Sequence, residues 1–315
     1  MTGGRHLLLS LAASGLALLL GVVLGAGPVT EQDAAGSAAT NRALTSRVDA
    51  LQGQVSALRA ASAADATAVR ALAGPLTAGL LEDRSVLVVA SPGARDADVV
   101  AVRTAVEDAG ATLTGTLRLR ESYVDPSKAQ SPLEDLSLRL VPPGVDFPDG
   151  ALPIERVGVV LARSTVQAPA DADNPETEVD GDAAEVIAGL DELDAVRLDG
   201  TPGRLAELAV MVTGPRDGDE AAPALVGLLD ALDDGGLGAV LTGPGTARTG
   251  LLRAVRQGKR DATQGPSTVD SAGTAIGSAA TVLALAEQLT GRSGDYGLGA
   301  SARRVLPVSR AAADD

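Results

Sequence analysis

Short aliphatic runs separated by amphipathic stretches organise most of this chain, and each run predicts a buried strand followed by a helix. Val86 to Ala90 reads as the first strand. Asp96 and Asp98 open a helix whose Val99, Val102, Val106 and Ala109 share one face, and Gly110 closes it. Leu113, Leu117 and Leu119 mark a second strand. The proline- and charge-rich stretch from Glu121 to Asp149 reads as a long connection or small insertion, after which Val157 to Ala162 is expected to resume the sheet. Leu208 to Thr213 and Gly238 to Thr242 give two more strands, flanking a helix with Leu225, Leu228, Leu229 and Leu232 on one face. A last helix is expected from about Ala272 to Leu289. The alternation predicts an α/β fold in three layers, with a mostly parallel, Rossmann/flavodoxin-like sheet.

Ahead of this domain the pattern changes twice. Leu7 to Ala26 is apolar and free of formal charge, and at about 1.5 Å per residue a helix of that length matches a hydrocarbon core of roughly 30 Å. Arg5 precedes it while Glu31 and Asp33 follow, which predicts a cytoplasmic N-terminus and an extracytoplasmic bulk. A cleaved secretory signal is the alternative, although cutting after Gly27 would place Pro28 directly beyond the scissile bond. Ala13, Ala17, Gly21 and Gly25 recur every fourth residue and form a small-residue stripe of the kind that pairs membrane helices. From Leu44 the residues Leu44, Val48, Leu51, Val55, Leu58, Ser62, Asp65, Val69 and Leu72 form a heptad seam, interrupted at Ser62 and Asp65. Leucine at d and valine at a favour a parallel pair, so a coiled-coil stalk of a homodimer or higher oligomer is expected, against the plainer reading of a lone amphipathic helix. Gly74 and Pro75 are expected to end it. The predicted organisation is a start and anchor over 1–28, a stalk over 29–75, the α/β domain over 76–300 and a flexible tail over 301–315.

Composition removes several classes of function. The formal net charge is -15, and Lys128 and Lys259 are the only lysines. Nucleic acid is excluded as a partner, since binding it requires Lys and Arg to neutralise phosphates. There is no cysteine, and His6 is the lone histidine, on the cytoplasmic side of the anchor. Thiol nucleophiles, disulfides, Ser-His-Asp hydrolysis and His-ligated zinc are therefore absent from the exported part, which is expected to be non-enzymatic. Tyr123, Phe147 and Tyr296 are the only aromatic residues, too few for a glycan-stacking surface.

What remains is thin. Asp171, Asp173, Glu176 and Glu178, with Asp180, Asp182 and Glu185, could offer oxygen ligands to Ca²⁺ or Mg²⁺, but their spacing is not an EF-hand loop and a solvated loop explains them as well. Met211 is the one exported thioether, in an aliphatic run where packing is the competing explanation. Three strands end in related turns, Ser91-Pro92-Gly93, Thr213-Gly214-Pro215 and Thr242-Gly243-Pro244-Gly245, and in a parallel sheet these share the edge where ligands bind. Their glycine spacing is neither a dinucleotide fingerprint nor a P-loop, and such residues also suit any strand-to-helix turn.

Taken in order along the chain, Ser10-Leu11-Ala12-Ala13, Gly21-Val22-Val23-Leu24-Gly25, Val86 to Ala90 with the Asp96 helix, Val269-Asp270, Val282-Leu283-Ala284-Leu285 and Tyr296-Gly297-Leu298-Gly299 resemble the actinobacterial copper transport proteins of the MctB type. The resemblance implies a cell-envelope protein that aids copper efflux across the outer envelope, with copper as the transported species, no tightly bound cofactor and no catalytic residues. The residues do not supply that role independently, because Cu(I) favours thiolate or thioether and Cu(II) imidazole. One membrane helix also cannot enclose a channel, so conduction would need oligomers or a partner. A non-enzymatic scaffold that docks another envelope protein, in wall assembly or cell separation, is the competing expectation, and an enzyme using carboxylates at the strand ends is a third.

Overall fold

Alternation along the first strand sets the architecture. In β1 (Ser85–Ala90), Leu87 and Val89 face one apolar cluster while Val86, Val88 and Ala90 face another, because successive side chains leave a strand on opposite sides. A sheet buried on both faces needs helices on both, which makes three layers. The computed structural model describes residues 31–141, 147, 150–167, 181–200, 205–244, 250–258 and 264–307. The chain divides into two units, Met1–Ala64 and Asp65–Asp315.

The helix α1 (Glu31–Thr77) has 47 residues, roughly 70 Å of helix at 1.5 Å per residue. It runs past Gly74 and Pro75, where the sequence predicted its end. The amide of Ala78 still donates to Gly74 O at 2.9 Å and the Thr77 hydroxyl to Ala73 O at 3.1 Å, so the last turn closes despite the missing Pro75 N–H. The seam side chains are open, with Leu51 at 53 % and Leu58 at 70 % exposure.

In chain order after β1 come α2 (Asp96–Asp108), β2 (Thr112–Leu119), α3 (Glu121–Val124), α4 (Pro126–Arg139), α5 (Pro153–Arg163), α6 (Gly181–Glu192), β3 (Val196–Asp199) and β4 (Leu208–Val212). Then follow α7 (Ala222–Gly235), β5 (Ala239–Thr242), α8 (Leu251–Gly258), β6 (Ser267–Val269), α9 (Ala275–Gln288) and β7 (Asp295–Tyr296). The sheet has seven strands among the described residues, in the order β3-β2-β1-β4-β5-β6-β7. All neighbours are parallel except β3, which runs antiparallel to β2. Helices α2 and α9 cover one face, and α5, α7 and α8 with the α3, α4 and α6 elaboration belong to the other cluster. The predicted fold class is therefore present as an α/β, mostly parallel sheet.

Two expectations fail locally. Val157 to Ala162 is not a strand but the middle of α5. Val157, Val160 and Leu161 are buried at helical spacing, Pro153 fits the first turn, and the Glu155 carboxylate accepts the Leu152 N–H at 2.8 Å. Gly158 lets α5 approach α7, since a Cβ there would stand 3.2 Å from the Leu228 backbone. A short aliphatic run cannot be assigned to helix or strand by periodicity alone, and here neighbouring α7 offers a helix-shaped surface. The stretch Glu121 to Asp149, expected as a long connection or small insertion, contains α3 and α4, as the second of those readings allows. The last helix also begins at Ala275 instead of Ala272, where Thr274 Oγ1 accepts the Gly277 N–H at 3.0 Å as its N-cap.

Candidate functional site

The strand order reverses between β1 and β4, and in doubly wound folds the crevice beyond the strand ends at that point is where ligands sit. Two of the three related turns meet there on one carboxylate. Asp217, 6 % exposed, accepts the Gly93 N–H on Oδ1 at 2.8 Å. Its Oδ2 accepts the Gly214 N–H at 2.7 Å, the Thr213 hydroxyl at 2.6 Å and the Ser91 hydroxyl. Bonds to an ionised acceptor are the stronger kind, so the cluster ties the ends of β1 and β4 together. The glycines are needed for approach: a Cβ on Gly93 would lie 2.6 Å from Asp217 Oδ1, and one on Gly214 1.7 Å from Gly93 O.

This arrangement decides what the edge can do. Backbone N–H and hydroxyl donors converge as they would on a phosphate, but the chain's own carboxylate already occupies the cradle. An incoming anion would meet Asp217 before the donors, and a cation would find both carboxylate oxygens in use. Beside it, Thr213, Gly214, Asp219, Pro244, Gly250 and Leu251 border a cavity of about 150 Å³. The turn after β5 contributes Pro244 to that wall, so all three related turns lie at the same edge, as their place in a parallel sheet requires.

A second polar knot lies one step along the sheet. Arg256 of α8 donates to Thr268 Oγ1 at 2.8 Å, Asp270 Oδ2 at 3.0 Å, Tyr296 O at 2.8 Å and Ser301 Oγ at 2.7 Å. Asp270 in turn accepts the Leu298 and Gly299 N–H groups on Oδ1 at 2.8 and 3.0 Å. The Arg256 and Asp270 side chains are 5 % and 0 % exposed. Gly297 holds φ +130°, and a Cβ there would stand 2.0 Å from Asp270 Oδ1, so the segment closes over the aspartate only with glycine. The Tyr296 hydroxyl donates to Glu287, and burial first, then that bond, pushes the phenol pKa up.

The candidate ligand residues do not assemble here. Met211 lies in β4 at 0 % exposure within the apolar cluster, where its thioether packs. Asp171, Asp173, Glu176 and Glu178 lie outside the described residues, as do Ala13, Ala17, Gly21 and Gly25. Among the described residues no group of three or more His, Cys, Asp or Glu could hold a metal ion, and no helix is long and apolar enough to cross a membrane. Both polar knots escaped the sequence analysis. The Asp217 cluster had a trace, in the repeated Ser/Thr-Gly-Pro turns with an aspartate soon after one of them. The Arg256 knot had another, since Val269-Asp270 and Tyr296-Gly297-Leu298-Gly299 are two of the stretches that carried the resemblance, and here they interlock.

A family model described as "Copper transport outer membrane protein, MctB" matches residues 1–307. The chain belongs to this family. Proteins named copper transporter MctB from Mycobacterium tuberculosis and Mycobacterium bovis are each 27 % identical over 317 residues, covering 96 % of this chain and 98 % of theirs. The Mycobacterium leprae protein of that name is 28 % identical over 314 residues, covering 94 % of this chain and 96 % of its own. The MctB match takes in both polar knots and the apolar N-terminal segment.

Proposed function

We propose that this chain is an envelope protein of copper transport and homeostasis, held by a single N-terminal membrane helix over Leu7 to Ala26, with its N-terminus cytoplasmic and its α/β domain extracytoplasmic. The end-to-end family match carries this reading: residues 1–307 align with a copper-transport family, and relatives with that name are matched over nearly their whole length. In the same reading 29–75 is the stalk, 76–300 the working domain and 301–315 a tail. The stalk pairs copies in parallel through Leu44, Val48, Leu51, Val55, Leu58, Val69 and Leu72, with the stripe Ala13, Ala17, Gly21, Gly25 pairing the membrane helices beneath it. A parallel pair suits the seam because the facing positions Arg47 with Gln52, and Gln54 with Arg59, put no like charges together. The Met211 thioether and the Asp171, Asp173, Glu176 and Glu178 carboxylates remain the ligand candidates for copper in transit, Met211 requiring β4 to open. The decisive experiment is cellular copper in a deletion strain complemented with this chain: accumulation should rise on deletion and fall on complementation, and unchanged copper and copper sensitivity would overturn the role.

A second reading is favoured by one observation, the exposed apolar seam on α1. In it the chain is a non-enzymatic scaffold that docks another envelope protein in wall assembly or cell separation. Crosslinking in cells separates the two: a stoichiometric heterologous partner supports the scaffold, whereas self-crosslinks alone count against it.

A further inference from the structure

The apolar face of the domain contains a void that the copper reading does not use. A cavity of about 230 Å³ lies between α3, the start of α5 and the start of α7, walled by Tyr123, Val124, Ile154, Val157 and Ala224. Helix α3 follows β2 and α7 follows β4, so the void sits beyond the strand ends on either side of β1, beside the reversal of strand order. Cavities of about 150 Å³ with apolar walls accommodate benzene, so this one has room for a ring with a short tail.

Its polar features are specific. Tyr123 is 0 % exposed and, among the described residues, its hydroxyl has no hydrogen-bond partner, a burial that calls for an explanation. Glu134 and Glu220 also line it, the first half-buried and the second exposed, and among the described residues neither carboxylate has an ion-pair partner. Of the neighbouring arginines, Arg156 lies 6.0 Å over the Phe147 ring and Arg120 is 3.8 Å from Asp194. The site thus combines an apolar body with two carboxylates at its rim, the buried Tyr123 hydroxyl lying behind the wall.

We infer that this cavity binds a small amphiphilic cation, an apolar ring or short chain bearing a protonated amine. The apolar part fills the void, and the ammonium stands against Glu134 and Glu220, which repel an acid of the same shape. The inference is independent of copper and survives if the transport role fails.

The probe is 4-fluorophenethylamine, followed by its fluorine NMR signal against the full chain in lipid nanodiscs, with empty nanodiscs as background. Its neutral and acidic isosteres, 4-fluorophenylethanol and 4-fluorophenylacetate, are the comparison arms. The amine should bind saturably, at least tenfold tighter than the acid and measurably tighter than the alcohol, and Glu134→Gln with Glu220→Gln should erase that ranking. Ala224→Phe, which fills the void, should abolish binding. The melting temperature of Ala224→Phe shows whether that variant is folded, and the Glu134→Gln, Glu220→Gln pair, at half-buried and exposed positions, keeps the test decisive if it is not. No saturable binding of the amine, an acid or alcohol that binds as well as the amine, or amine binding undiminished in folded Ala224→Phe would each overturn the site.

Discussion

Leucine and valine meet opposite fates in two regions of this molecule. In α1 the seam leucines stay half or more uncovered, with Leu44 at 56 % and Leu72 at 71 % exposure, while in β1 and β4 every apolar side chain lies at 2 % or below. At about 25 cal/mol per Å² of buried apolar surface, only the second region gains from its own hydrophobic residues. The α/β domain completes its core within one chain. The helix carries a heptad pattern that stays open to solvent, and the proposed parallel stalk would cover it with a second copy.

The comparison is broken most severely inside the domain. Arg256→Met removes the cation from a buried pair and should destabilise the domain by about 3–5 kcal/mol in urea unfolding, because Asp270 is left charged and 0 % exposed. A loss under 1 kcal/mol would mean that the backbone N–H groups alone neutralise the aspartate. Asp217→Ala strands the donors of two strand-end turns and should cost about 2–3 kcal/mol. The smaller Ser91→Ala change, which removes one of those donors, should cost about 1 kcal/mol.

In α1 the expected effect on domain unfolding is within about 0.5 kcal/mol, and the consequence appears in assembly instead. The chain has no cysteine, so single replacements report cleanly. Leu51→Cys and Leu58→Cys, at facing seam positions, should form disulfide-linked dimers in membranes under mild oxidation, while Gly53→Cys on the outer face should not. Equal crosslinking at all three would remove the parallel stalk.

The smallest effect lies on the surface. Arg118 donates to Asp199 at 2.7 Å, and that bond holds the Asp199 carboxyl below its ordinary 3.8 and raises the guanidinium. A depressed folded pKa contributes stability above the unfolded value and loses it as pH falls through the folded one. The pair, 37 % and 43 % exposed, should therefore add about 0.2–1 kcal/mol at neutral pH, lost progressively as the pH falls from the ordinary 3.8 through the lower folded value. Asp199→Asn should flatten that limb of the stability curve, and an unchanged limb would show that solvent screens the pair completely.

How much was legible differs by kind of feature. The strands β1, β2, β4 and β5 and the helices α2, α7 and α9 declared themselves through aliphatic runs and one-sided faces. The edge strands β3 and β7 did not, because Val196–Asp199 and Asp295–Tyr296 are too short for periodicity to register. Helix α5 was misread since its Val157 to Ala162 core is as aliphatic as a strand, and only its packing on α7 separates the two. The polar knots were invisible for a different reason: Gly93 and Asp217 are separated by 124 residues, and Leu298 and Asp270 by 28.

The sequence by itself determined what depends on local chemistry: the α/β alternation, the heptad on α1, the absence of cysteine, the acidic balance and the end-to-end family membership. Tertiary structure alone decided that Asp217 fills the cradle where two of the three related turns converge, that Met211 is packed and inaccessible, and that Tyr123 borders a void without a partner among the described residues. The division has one physical origin. Patterning and composition act over a few residues, whereas cavities and saturated carboxylates arise only when distant segments are brought within hydrogen-bond reach.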